Sequence, residues 1–187
     1  MSTYVIGRLQ EEGGYTTAYH ICNSYTTGKN LLSDILRSIA AQLLRGNLEL
    51  APYIFENYAN KGLAPSAARL RKLLPELLAT ITSVRIIIDG LDEYPVSDQR
   101  TILTELLALS KSSGGNCRIL FSNREGELIN RTLGGKPTIS LRDQNADVSK
   151  DIEVHVHARL KALRARFGDH LINKIEHEIV GKADGNS

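Results

Sequence analysis

The sequence predicts an α/β domain built on a parallel sheet. Three observations carry that prediction. Short apolar runs rich in β-branched residues alternate with longer runs whose apolar residues recur every three or four positions, the pattern of strands joined by crossover helices. The two strongest strand candidates, Val84–Asp89 and Cys117–Ser122, are continuously apolar at Ile86–Ile88 and Ile119–Phe121, as expected where helices cover both faces of a sheet. A content of 42 % apolar and 24 % charged residues over 187 positions suits one globular domain with a real core, alone or with a helical appendage.

The elements follow in order. Residues 4–12 read as the end of a helix, with Val5, Ile6 and Leu9 as its apolar stripe and Gly13-Gly14 as its stop. Thr17 to Cys22 reads as a strand. After a polar loop over Asn23 to Lys29, Asn30 is placed to cap a helix that runs to about Arg45, with Asp34 in its first turn and Leu31, Leu32, Ile35, Leu36, Ile39, Leu43 and Leu44 at helical spacing. A weaker helix covers Tyr53 to Asn60. Gly62 and Pro65 interrupt, and Ser66 caps a helix carrying Leu70, Leu73, Leu74, Leu77, Leu78 and Ile81. The Val84–Asp89 strand is followed by a helix with Ile102, Leu103, Leu106 and Leu107, a turn at Ser112 to Asn116, the Cys117–Ser122 strand, a short helical piece, and a last short strand from Thr138 to Leu141. From Val148 the pattern is helical, through Ile152, Val156 and Leu160. A final helix carries Leu171, Ile172, Ile175, Ile179 and Val180, with Gly181 as its stop. Residues 1–145 thus read as the sheet domain and 146–187 as a helical extension of it.

Composition narrows the function. The net charge is +2 with dispersed basic residues, so neither nucleic acid nor an anionic membrane is an expected partner. The densest basic run, Arg159, Lys161, Arg164 and Arg166, reads as a solvated helix face. No apolar run is long enough to span a bilayer, and Met1 to Arg8 has no cationic start or long apolar region, so it is not a secretory signal. Cys22 and Cys117 sit far apart in apolar runs and read as reduced core residues of a cytoplasmic protein. His20 reads as a packed strand residue. His155 and His157 have strand spacing on a helical pattern, so they share no face for a metal.

The stretch that carries chemistry is Ile86-Ile87-Ile88-Asp89-Gly90-Leu91-Asp92-Glu93. A buried strand that delivers a carboxylate to its carboxyl end is how phosphate-transferring α/β folds approach Mg²⁺. Asp89 is the expected Mg²⁺ contact, through a bound water because Mg²⁺ keeps most of its hydration shell. Gly90 would leave room for that water and ion. Asp92 and Glu93 lie just beyond, where a base orients an attacking water. An acid-capped turn is the plainer alternative, since Asp-Gly is also a common turn pair. Arg124 ends the next strand at the same sheet edge, within reach of a γ-phosphate, or pairs with Glu125 or Glu127 instead. Gly28-Lys29 follows a strand and precedes a helix, but Asn30 stands where Ser or Thr would meet Mg²⁺, so it reads as a plain loop. No G-x-x-x-x-G-K-[ST] phosphate loop occurs in the 187 residues.

Taken in order, the initial helix, Thr-Ala-Tyr-His-Ile-Cys, the Ile35–Leu44 helix, Arg-Ile-Ile-Ile-Asp-Gly-Leu-Asp-Glu, Arg-Ile-Leu-Phe-Ser-Asn-Arg-Glu and the closing Lys182–Gly185 resemble the NACHT module of the STAND-class P-loop NTPases, in the nephrocystin-type N-terminal form found in fungal signalling proteins. The resemblance runs from about Tyr4 to Gly185. It implies a partial P-loop NTPase-like three-layer fold. Asp89 would be the Walker B acid associated with Mg²⁺, Asp92 and Glu93 the paired catalytic acids, and Arg124 the sensor arginine, although Asn123-Arg124 stands where Ser-Arg or Thr-Arg is more usual. The cofactors implied are Mg²⁺ with ATP or GTP. Protein partners or self-association through the module are implied as well, with repeat domains in longer relatives.

The resemblance also implies that the phosphate loop would precede Met1 and that the sheet's first strand, between Cys117–Ser122 and Thr138–Leu141, is missing. The expectation is therefore a truncated signal-transduction NTPase module that binds ATP weakly or not at all by itself, with two sheet edges left open to aggregation. The alternative is a stand-alone pseudo-NTPase that acts as an interaction or decoy module for full-length relatives. A metal-dependent hydrolase built on Asp89, Asp92 and Glu93 is a third reading.

Overall fold

In the computed structural model the described residues are 2–24, 30–59, 66–140, 150, 154, 156–161, 163 and 167–183. The chain divides into two compact units, Met1–Gly134 and Gly135–Ser187.

The first unit is α/β. Its helices and strands are α1 (Ser2–Glu12), β1 (Thr16–Ile21), α2 (Leu31–Gly46), α3 (Ala51–Ile54), α4 (Ala67–Thr80), β2 (Val84–Asp89), α5 (Val96–Ser112), β3 (Cys117–Ser122) and α6 (Glu127–Leu133). The three strands form a parallel sheet in the order β1-β2-β3. The register sets Ile21 beside Asp89 and Asp89 beside Ser122, so the three strands end level.

Alternation along the strands divides the side chains between two faces. One face presents Ala18, Val84, Ile86, Ile88, Cys117, Ile119 and Phe121. These pack with Ile35, Ile39 and Leu43 of α2, Leu74 and Leu78 of α4, and Ile102, Leu103 and Leu106 of α5 in one continuous core. Each fully buried aliphatic side chain stabilises the fold by about 1.5–3 kcal/mol. The opposite face presents Tyr19, Ile87 and Leu120 and carries α1, which packs against β1 and β2. Ile6 and Ile87 are buried there, while Ile21 and Leu120 remain about half exposed.

Several local expectations change. Thr138 to Ser140 is irregular rather than a strand, and Leu141 lies outside the described residues. β3 is therefore the outer strand of the described sheet. The weak helix expected over Tyr53 to Asn60 is helical as far as Ala59 but irregular: a 3-10 turn at Leu48–Leu50 leads into one α-helical turn at α3 and a π-helical turn at Phe55–Ala59, and Asn60 lies outside the described residues. Asn30 and Ser66 occupy the cap positions of α2 and α4, but neither side chain makes a capping hydrogen bond. Their carbonyls accept the first helical N–H groups instead, from Asp34 and Leu70. α4 also runs through Pro75, where the ring removes one backbone donor.

In the second unit, α7 (Asp169–Ala183) continues past Gly181, which is not its stop. His157 Nδ1 lies 2.8 Å from Glu176 Oε1, and Leu160 and Ile172 are buried. Gly28-Lys29, Val148, Ile152, His155, Arg164, Arg166 and the end of the Lys182–Gly185 signature lie outside the described residues. No helix of the described residues is long and apolar enough to cross a membrane.

Candidate functional site

The site lies at the carboxyl rim of the sheet, where all three strands end. β2 runs straight into its acid because Ile86, Ile87 and Ile88 are buried from both sides, while Asp89, at the end of the strand, is only partly buried. The chain then turns sharply. Gly90 adopts φ 72° and ψ 31°, a left-handed conformation that side-chain-bearing residues rarely take. Its N–H donates to the Ser122 carbonyl at 2.7 Å, and its own carbonyl accepts from Glu93 N–H at 3.0 Å. The Cys22 N–H donates to the Asp89 carbonyl at 2.8 Å, so β1 and β3 grip the turn from either side. Leu91–Glu93 completes it as a single 3-10 turn whose Leu91 is fully buried.

The four side chains singled out from the sequence take up different positions. The Asp89 carboxylate stands at the end of the central strand and has no hydrogen-bond or ion-pair partner among the described residues. Asp92 reaches toward the end of β3. Its Oδ1 accepts the Arg124 backbone N–H at 3.2 Å, and its Oδ2 lies 3.9 Å from Arg124 Nε. The Arg124 side chain is 93 % exposed, so the guanidinium pair adds about 0–1 kcal/mol and the backbone contact is the firmer link. Arg124 thus pairs with Asp92. Glu93 reaches the other way, and its Oε2 accepts the Ser24 backbone N–H at 2.9 Å. The two acids expected to act on water therefore fasten the loops after β3 and β1 to the turn after β2. Among the described residues no three His, Cys, Asp or Glu side chains are grouped to hold a metal ion. The three carboxylates share a rim without converging on a point.

Beneath the acids lies a polar cluster that the sequence reading did not single out. Tyr94 is buried, and its hydroxyl lies 3.3 Å from His20 Nε2 and close to the Cys22 thiol. Burial pushes the Tyr94 hydroxyl and the Cys22 thiol each up to about 12, so both stay protonated at neutral pH. Burial also lowers His20, against a smaller opposing pull from the Asp34 carboxylate. Gln99, buried in the first turns of α5, donates through Nε2 to the Tyr94 carbonyl at 2.7 Å. A polar residue at an apolar position of the Ile102, Leu103 and Leu106 stripe is the sequence signal for this clamp. Tyr94 itself carries no comparable signal. Cys22 and Cys117 are buried free thiols, and burial raises Cys117 to about 11.

Two surface hollows lie elsewhere. One runs between β1 and α2, lined in part by Asp34, Arg37 and Gln42, and the other lies along α7. Neither is lined by Asp89, Asp92, Glu93 or Arg124.

The family model described as nephrocystin 3, N-terminal, matches residues 1–124, which takes in β1, β2, β3 and the whole rim. No curated protein and no solved structure matches the chain.

Proposed function

The chain belongs to the nephrocystin 3 N-terminal family, and on that premise we propose that it is a NACHT-type, P-loop NTPase-like module of a signal-transduction protein, whose rim faces a magnesium-bound nucleoside triphosphate. One observation supports this above the rest. Asp89 ends the central parallel strand with its carboxylate unengaged among the described residues, while the neighbouring acids and Arg124 are fixed around it.

In this reading Asp89 supplies one carboxylate toward Mg²⁺. That fits a hard cation that keeps several waters and needs only one or two protein acids. It also fits the absence of a three-acid cage among the described residues, which argues against the metal-dependent hydrolase. Mg²⁺, when bound, neutralises charge on the phosphates. Asp92 and Glu93 orient water beside the γ-phosphate, and Arg124 senses that phosphate. Because Asp92 already bonds the Arg124 N–H, a change at the phosphate end would pass to the loop after β3.

The 187 residues contain no phosphate loop. The backbone N–H groups and lysine that grip β- and γ-phosphates are therefore not supplied by this sequence. Nucleotide affinity is expected to be weak and hydrolysis negligible. The second reading, an interaction module for related full-length proteins, draws on the same contacts. Acids committed to loop backbones are serving structure.

The test is to titrate Mn²⁺-ATP into the isotope-labelled chain and follow amide broadening by NMR. The proposal expects broadening at the Asp89–Glu93 turn and Arg124, lost in Asp89→Asn. Broadening elsewhere, or unchanged by that substitution, would refute the site. Micromolar Mg-ATP binding would refute the claim of a weak grip.

A further inference from the structure

His20 stands between two partners, each suited to one of its charge states. It follows Ala18 on the core face of β1 and is half-buried there. On one side its Nε2 lies 3.3 Å from the hydroxyl of Tyr94, which is buried just beyond the acids of the turn after β2. On the other side His20 lines the hollow between β1 and α2, together with Asp34, Arg37 and Arg45. Arg37 Nη1 donates to Asp34 Oδ1 at 2.9 Å, and Asp34 Oδ2 has no partner among the described residues.

Hydrogen-bond chemistry sorts the partners. A neutral imidazole with its proton on Nδ1 offers Nε2 as an acceptor, and the Tyr94 hydroxyl donates to it. An imidazolium has a donor at each nitrogen and accepts nothing, so that bond is lost. A carboxylate across the hollow attracts the imidazolium instead. The groups facing His20 are Tyr19 and Cys22 of its own strand, Tyr94 of the turn, and Asp34, Arg37 and Arg45 of α2. Asp34 is the one carboxylate of that set, and Arg37 occupies only one of its oxygens. Burial holds His20 below its ordinary value and outweighs the upward pull of Asp34, so the neutral arrangement is the resting one at neutral pH.

We propose that His20 is a proton-operated latch between the acid turn and α2. Neutral, it fastens the Tyr94 hydroxyl; protonated, it turns into the hollow toward Asp34 and lets that hydroxyl go. The release is local. Gln99 Nε2 still holds the Tyr94 carbonyl at 2.7 Å, so the backbone of the turn stays in place. The Tyr94 hydroxyl is also close to Cys22 and to the backbone of Asn23, where the loop after β1 begins. The next residue, Ser24, donates its N–H to Glu93 Oε2 at 2.9 Å. The latch therefore acts on the Glu93 side of the turn and not on the Asp92 side, which is fastened to Arg124. What it regulates at the rim rests on the nucleotide reading above; the latch itself does not.

The test follows the full, unliganded, isotope-labelled chain by NMR as the pH is lowered from about 8 to about 4. The His20 ring signals should titrate below 6.5, and the Ser24 amide should share their midpoint while the Arg124 amide does not. The nuclear Overhauser contact between the His20 and Tyr94 rings should disappear over the same range. Tyr94→Phe removes the partner of the neutral form, so the His20 midpoint should rise and the Ser24 amide should lose its inflection there. Asp34→Asn removes the partner of the charged form, so the midpoint should fall. If Tyr94→Phe misfolds, Asp34→Asn and the parent's own ring contact and Ser24 curve still decide. A ring contact that persists through the titration would overturn the proposal. So would a Ser24 amide blind to His20, midpoints that shift the same way in both variants, or a His20 that takes up no proton before the chain unfolds. No nucleotide is present, so failure here leaves the nucleotide reading standing, and loss of that reading leaves the latch.

Discussion

Replacing Gly90 separates two reasons for a glycine in the acid turn. If it serves only to leave room for a hydrated ion, a methyl group would leave the stability of the unliganded protein unchanged. The backbone argues otherwise. At φ 72° and ψ 31° an alanine carries a penalty of about 1–2 kcal/mol relative to the right-handed region. The space around it adds little, because an added Cβ would meet the Cys22 carbonyl oxygen at 3.4 Å and Glu93 Oε1 at 3.7 Å. Gly90→Ala should therefore cost about 1 kcal/mol, read as a fall in Tm of roughly 2–4 °C for a chain of this size. Gly90→Asn should cost less, because asparagine visits the left-handed region more readily, and Gly90→Val should cost most. Urea denaturation at 25 °C, followed by circular dichroism, reads the series. Equal stabilities for glycine and alanine, or asparagine costlier than valine, would refute the conformational argument.

Three further outcomes follow from the same contacts. Asp92→Ala removes the acceptor for the Arg124 N–H, so hydrogen exchange at that amide should quicken about tenfold, matching one hydrogen bond of ~1.4 kcal/mol; unchanged exchange would show that Asp92 does not hold the loop. His20 is lowered by burial below its ordinary value of 6.5, so the unfolded chain takes up its proton first as pH falls. The stability contributed by neutral His20 is complete above about pH 6.5 and is lost on acidification from there toward its folded value; the urea midpoint should drop over that range and drop less in His20→Gln, and an equal drop in both would exclude His20 as the cause. Gln42→Leu removes the acceptor for the Tyr19 N–H, so hydrogen exchange at that amide should quicken about tenfold; unchanged exchange would mean that the Gln42 amide does not protect this edge.

Much of the rim was legible because it is a matter of local order. Asp89 was expected to end a buried strand, since a short β-branched run such as Ile86 to Ile88, followed by turn residues, suits a sheet strand covered on both faces. Two consecutive strands of such a sheet bring the residues after them, Asp92 and Arg124, to the same edge. The helices of the core were legible for the same reason, their stripes recurring at helical spacing. The short strand at Thr138 was not, because a few residues of β-like composition do not form a strand without a partner ladder. The caps at Asn30 and Ser66 were right in place and wrong in mechanism: a side chain that can cap a helix does so only if its rotamer and the entering backbone allow it.

Sequence by itself determined the layers of this protein, the carboxylate at the end of its central strand and the arginine that follows the next one, because hydrophobic periodicity and chain order fix which side chains are buried and which reach the rim. Tertiary structure alone decided what those side chains do at rest. Asp92 and Glu93 bond to backbone amides 32 and 69 positions away in the chain, Tyr94 meets His20 across 74, and Gln42 closes an edge 23 residues behind it. Contacts of that span depend on where the packed core sets the ends of separate elements, to within the few tenths of an ångström that a hydrogen bond allows. No local pattern of residues encodes that placement.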